Sequence, residues 1–124
     1  MTFEEFDVFQ QKLISEVLKM RDTKGKEYSH STDRFANFNR LQDSLSLPNY
    51  QIGWVYCKKH LDSIESYVKD GKTHSNETIR SRFVDAITYL TLIAGMVEER
   101  ELKLREVLED KNQGKHQPME YDPT

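Results

Sequence analysis

Three groups of polar side chains stand out, each in or beside a stretch where helical spacing favours apolar residues. The first is Lys24-Gly25-Lys26-Glu27-Tyr28, followed by Arg34-Phe35 and Asn37-Phe38. Two lysines and an arginine near a helix start can gather phosphate oxygens, and the free N–H groups of that helix start point the same way. Tyr28 or Phe35 offers a face for base stacking. The plainer reading is a solvated loop with Phe35 and Phe38 packed in the core.

The second group is Lys59-His60 with Asp62-Ser63-Ile64-Glu65. Asp62 and Glu65 are three residues apart and share a helix face. His60 is either a core histidine with its hydrogen bonds satisfied or part of a titratable cluster that marks a site. The third group is Arg82 and Asp85 with Thr88 and Tyr89, in the most apolar part of the chain. A carboxylate there must be paired, hydrogen-bonded or metal-bound. Lys59, Arg34 and Arg82 are the candidate cations, and a metal or a substrate is the alternative. Cys57 precedes His60 by three residues, which is a weak signal for a nucleophile and base, because thiols buried on helices are common. No Gly-rich phosphate loop, dinucleotide fingerprint, zinc-ligand spacing or nucleophile elbow is present.

These groups need helices to hold them, and the spacing predicts four. Phe6, Phe9, Leu13, Val17 and Met20 recur at three- and four-residue steps and mark a helix over residues 2–21, with Thr2 and Glu5 spaced as a capping box. Residues 22–33 are polar and contain a glycine, and read as a loop, a common seat of function. Thr32 or Asp33 can cap a second helix over 34–45, and a third runs over 50–69 after Pro48, ending at the glycine of Asp70-Gly71-Lys72. Ser75 or Asn76 can cap the longest helix. In it Phe83, Leu90, Val97 and Leu104 recur every seven residues, with Ala86, Ile93 and Val107 filling most of a second seam and Arg100 interrupting it. Such a repeat packs against partner helices, within the bundle or across a dimer. From Glu98 onward most residues are charged, so this end is expected to protrude and pair with another subunit.

The expected fold is all-α: a four-helix bundle-like domain over residues 1–111 with a long C-terminal helix, then a flexible polar tail over 112–124. At 124 residues the chain suits one domain and can bury one core. A net charge of −3 argues against general nucleic-acid binding, which needs a basic footprint. One cysteine allows no internal disulfide, which fits a reduced, cytoplasmic setting (the host cytoplasm if the chain is phage-encoded). Met1-Thr2-Phe3-Glu4-Glu5 does not read as a secretory signal, and no apolar run approaches the roughly 20 residues of a membrane helix.

Taken in order, Lys24–Tyr28, Asp33–Phe38, Lys59–Ile64 and Asp85–Leu90 resemble a group of small phage and prophage proteins with the patterns K-x-K-[DE]-Y, D-R-x-x-N-F, K-H-x-x-S-I and D-x-x-x-Y-L. The resemblance spans residues 20–99. More distantly, that group is similar to the all-α nucleoside triphosphate pyrophosphohydrolases of the MazG and dimeric dUTPase type. Those are dimeric or tetrameric helical bundles that bind Mg2+ through E-x-x-E on one helix and E-x-x-D on the next, and hydrolyse a nucleoside triphosphate to the monophosphate and pyrophosphate.

The resemblance implies Asp62, Glu65 and Asp85 as metal ligands. It implies Glu27 and His60 as catalytic groups. It implies Lys24, Lys26, Tyr28, Arg34, Asn37, Lys59, Arg82 and Tyr89 as contacts to a nucleotide or nucleotide-like molecule. The match departs at two places: Asp62 stands first in its pair, and Arg82 replaces a carboxylate, which opposes a dication. Three functions follow as expectations: a Mg2+-dependent pyrophosphohydrolase, a nucleotide-sequestering or anti-defence binding protein without turnover, and a helical interaction protein.

Overall fold

The computed structural model describes residues 1–28, 32–73 and 75–116, with side chains for all of these except 21–28 and 114–116. Four helices follow in order: α1 (Phe3–Tyr28), α2 (Ala36–Leu45), α3 (Asn49–Asp70) and α4 (Ile79–His116). No strand occurs among the described residues. The fold is all-α, with the long C-terminal helix that the spacing predicts.

The helix ends follow local chemistry. Glu5 N–H donates to Thr2 Oγ1 at 3.1 Å and Thr2 N–H donates to Glu5 Oε1 at 3.0 Å, a reciprocal capping box. α1 then runs to Tyr28, past Arg21. The loop expected over residues 22–33 is therefore shorter: lysine and glutamate are good helix formers, and Gly25 alone costs only about 1 kcal/mol in a helix interior. α4 starts with Thr78, whose Oγ1 accepts the Ser81 N–H at 3.1 Å, and not with Ser75 or Asn76. Ser75 instead makes a turn, accepting from Glu77 N–H. α3 ends as expected on Gly71, whose φ of 73° is a left-handed cap that an alanine would strain. α4 continues past Lys111 to His116; the remainder of the expected tail, 117–124, lies outside the described residues.

The α2–α3 corner is held by amides. Asp33 Oδ1 accepts Phe35 N–H and Asp33 Oδ2 accepts Asn39 Nδ2. Asn39 Oδ1 in turn accepts Asn49 Nδ2, and Gln42 Oε1 accepts Asn49 N–H at 2.8 Å. This chain of bonds sets α2 across the start of α3.

α3 and α4 form the central antiparallel pair. Tyr50 meets Arg100, Gly53 meets Ile93 and Met96, Cys57 meets Ala86, and His60 meets Asp85. Gly53 permits the close approach: a Cβ there would lie 2.9 Å from Met96 Cε. α1 packs on α4 and α2 on α3. The buried apolar core is small, comprising Val17, Ile52, Cys57, Val84, Ala86 and Met96. It gathers around the α3–α4 contact, and the other two helices flank it. Among the described residues no helix is long and apolar enough to cross a membrane.

Candidate functional site

α1, α2 and α4, with Tyr56 from α3, enclose a cleft of about 830 Å³. Ile14, Val17 and Leu18 of α1 form one wall. Phe38, Arg40 and Leu41 of α2, with Arg34, Phe35 and Asn37 at its start, form a second. Asp85, Thr88, Tyr89 and Leu92 of α4 form the third. The size and the mix of apolar walls with a few polar groups are those of a small-molecule site.

An aromatic ladder crosses one side. Phe38 meets Tyr56 edge-on at 6.1 Å, Tyr56 stacks on Tyr89 at 6.2 Å, and Tyr89 stacks on His60 at 5.4 Å. Each step lies in the range of favourable ring pairs. Phe35 fits against α4 because Gly95 lacks a side chain; a Cβ there would lie 2.8 Å from the ring's Cζ.

Asp85 is buried at the cleft and its Oδ2 lies 3.7 Å from His60 Nδ1. Behind it the polar groups continue inward to outward. Arg82 Nη1 stands 3.3 Å from His60 Nδ1 and 3.2 Å from Glu77 Oε2. An arginine N–H only donates, so a hydrogen bond in this pair requires Nδ1 to accept and the proton to sit on Nε2. Burial pushes the His60 pKa below its ordinary value, and Lys59 and Arg82 push the same way, against Asp85 and Glu77. The neutral imidazole is thereby favoured beside the carboxylate. Arg82 Nε is buried with no hydrogen-bond partner among the described residues, the one such side-chain atom.

The three groups read from the sequence are thus redistributed. Arg34, Asn37, Asp85 and Tyr89 meet at the cleft. His60 and Arg82 sit behind it, where Arg82 positions His60 and does not line the cleft. Lys59 is exposed on α3, and its carbonyl accepts the Ser63 hydroxyl. Asp62 and Glu65 are also exposed, and Asp62 is ion-paired with Lys58. Lys24, Lys26, Glu27 and Tyr28 lie on the last turns of α1, their side chains outside the described residues.

A magnesium ion needs several oxygen ligands on one side. Among the described residues no three His, Cys, Asp or Glu side chains group in that way. Asp62, Glu65 and Asp85 therefore do not form the expected ligand set: the first two face solvent and the third is buried against His60. Cys57 is not set up as a nucleophile either. Cys57 Sγ points to the Ala86 carbonyl at 3.9 Å inside the α3–α4 contact, and burial pushes its pKa up, away from the reactive thiolate.

Tyr56 and Arg40 are among the lining residues that the sequence does not single out. An aromatic flanked by Val55 and Cys57 gives no signal that it serves a cleft, because the faces that meet it come from α2 and α4. No protein family, curated protein or solved structure matches the chain, so the cleft's own geometry carries its interpretation.

Proposed function

We propose that the chain binds a nucleotide or nucleotide-like molecule in the cleft and holds it without metal-assisted hydrolysis. The observation that carries this is the composition of one enclosed surface: aromatic faces, a buried carboxylate and arginines lining the same 830 Å³. Tyr56, Tyr89, Phe35 and Phe38 suit a flat heteroaromatic ring. Asp85 accepts ring or exocyclic N–H groups, which a base edge offers and a phosphate does not. Arg34 and Arg40 are exposed at the cleft and suit phosphate oxygens. The base enters and the phosphates stay at the mouth, because a phosphate beside Asp85 would meet like charge.

The four-part resemblance to phage proteins supports the nucleotide class. The separation of Asp62 and Glu65 from Asp85 favours binding over turnover. The test is calorimetric titration of the full chain with nucleoside mono-, di- and triphosphates, in EDTA and again in Mg2+, with product analysis. Binding in EDTA with no pyrophosphate released is the expected result. At a ligand concentration of 100 times Kd the fold should gain about 2.7 kcal/mol. Asp85→Asn and Arg34→Ala should each weaken binding, the latter more as phosphates are added. Pyrophosphate release that needs Mg2+ and is lost in Asp85→Asn would replace this reading with the hydrolase; no binding by any nucleotide would end both.

A further inference from the structure

The polar groups of the cleft are sorted by wall. On α4, Asp85, Thr88 and Thr91 follow one another at three-residue steps, about 4.5 Å apart along the helix axis, and all of them line the cleft. Asp85 is buried, Thr88 half-buried and Thr91 exposed, so the row climbs from the floor to the mouth. The hydroxyl protons are already committed: Thr88 Oγ1 donates to the Val84 carbonyl and Thr91 Oγ1 donates to the Thr88 carbonyl, each at 2.8 Å. A hydroxyl has one proton to give, so both threonines offer a ligand lone pairs only. An ionised carboxylate likewise only accepts. A hydrogen bond from Arg82 to His60 Nδ1 makes that nitrogen an acceptor too, so it brings no proton to Asp85 Oδ2 at 3.7 Å. The α2 wall is the reverse. Arg34 and Arg40 only donate, and Asn37 does both.

We propose that the cleft selects guanine among the bases, with Asp85 taking the pairing edge of the ring. This deepens the nucleotide reading above and rests on it. A carboxylate has two oxygens, which accept a parallel pair of N–H bonds. Guanine alone among the common bases puts two donors side by side on that edge, its N1–H and its 2-amino group. Adenine and cytosine each present one amino group beside a ring nitrogen that accepts, and that lone pair would face the second carboxylate oxygen. Uracil and thymine hold their one N–H between two carbonyl oxygens, so the carboxylate would meet negative charge on both sides. Burial sharpens the choice, because an acceptor facing Asp85 away from water loses its hydrogen bond and finds no replacement. Thr88 and Thr91 continue the acceptor row toward the sugar, whose hydroxyls donate. That order leaves the phosphates beside Arg34 and Arg40 at the exposed rim.

The test is calorimetric titration of the full chain in EDTA, at one salt concentration, with the monophosphates of guanosine, inosine, adenosine, cytidine and uridine. The guanosine compound should bind tightest. Inosine monophosphate keeps N1–H and lacks the amino group, so it should bind about tenfold to a hundredfold more weakly, the worth of one hydrogen bond to a charged group. The adenosine, cytidine and uridine compounds should fall about a hundredfold or more below guanosine. Asp85→Asn exchanges one acceptor for a donor. It should lose the preference for guanosine over inosine and bind xanthosine monophosphate better than the parent chain does, because xanthine carries a carbonyl where guanine has its amino group. A side chain that merely held the helices together would gain no affinity for a new base. The base series needs no variant, so it decides the matter even if Asp85→Asn unfolds. Equal affinity for guanosine and inosine monophosphates would overturn the guanine assignment and leave the nucleotide reading intact. So would an adenine or pyrimidine nucleotide bound as tightly as guanosine monophosphate, or a folded Asp85→Asn that binds xanthosine monophosphate no better. No binding by any member of the series would end the nucleotide reading, and this inference with it.

Discussion

Gly95→Ala probes how α4 admits the cleft. The added methyl would lie 2.8 Å from Phe35 Cζ, closer than a carbon–carbon contact allows, with Cε1 at an ordinary 3.5 Å. Two terms compete. Alanine is favoured over glycine in a helix interior by about 0.8–1 kcal/mol. Overpacking a tight contact costs about 1–3 kcal/mol. The ring cannot yield by bending as a methionine end can. It can only swing or translate, and its own backbone is held: Asp33 Oδ1 takes the Phe35 N–H at 2.9 Å, and the Phe35 carbonyl takes Asn39 N–H at 2.8 Å. The overpacking cost should therefore exceed the propensity gain, for a net destabilisation of about 1 kcal/mol. Urea denaturation at one fixed protein concentration measures it, since self-association would otherwise move the midpoint. Phe35→Leu in the same chain should relieve the clash, so the double-mutant cycle should show a coupling of about 1 kcal/mol or more. Nucleotide affinity should fall with Gly95→Ala as well, because Phe35 lines the cleft. A variant stabilised by the full helix-propensity gain, with no coupling to Phe35, would refute the packing argument.

Other outcomes follow from single contacts. His60 has its folded-state pKa held below the ordinary value by burial, then by Lys59 and Arg82, so the unfolded chain takes up the proton first as pH falls. Stability should be full above about pH 6.5, decline as the pH drops below it, and level off under the depressed folded-state value; urea denaturation against pH should lose this component in His60→Gln, and an unchanged profile would contradict it. Cys57, buried between α3 and α4, should resist a thiol reagent in the native protein and react at once in denaturant; rapid native reaction would show that the α3–α4 contact opens. Arg80 holds both Glu16 oxygens from Nε at 3.0 Å and lies over the Phe9 ring. These groups are substantially exposed, so Arg80→Ala should cost less than about 1 kcal/mol in a denaturation assay, with the loss shrinking in salt; a loss of several kcal/mol would mean that α1 depends on this pair.

Features set by neighbours in the chain were legible from the sequence, and features set by neighbours in space were not. Thr2 and Glu5 cap each other across three residues, and Gly71 ends α3 through its own backbone, so both are read from a few letters. The polar residues after Arg21 misled because a glycine among charges resembles a loop, although helix propensity allows α1 to continue. Ser75, Asn76 and Thr78 all have capping chemistry, so the sequence alone does not choose among them, and Thr78 is the one that caps α4. Asp85 was singled out correctly as a carboxylate in apolar surroundings, but its neighbour was among the hard parts. His60 arrives from the opposing helix, which spacing along one helix does not show. Asp62 and Glu65 share a face, as their spacing requires, but spacing does not reveal whether that face points inward.

The seven-residue repeat shows the same limit in a sharper form. Phe83, Leu90, Val97 and Leu104 are compatible with two stripes, one completed by Ala86 and Ile93 and the other by Ile87 and Ala94. Both completions are apolar, so periodicity cannot choose. Packing chooses: Gly53 admits Ile93 and Met96, and Cys57 lies against Ala86, which commits the first completion to α3 and leaves Ile87 at the cleft and Ala94 exposed. α4 is then used on three sides near its start, by α1, by α3 and by the cleft. Beyond Arg100, which still lies over Tyr50, residues 101–113 are all exposed. A free helical segment of about 12–15 residues is marginal in water. Extended as a helix from a supported one, this segment avoids the cost of nucleation but gains no burial for Leu104, Val107 or Leu108 within the single chain.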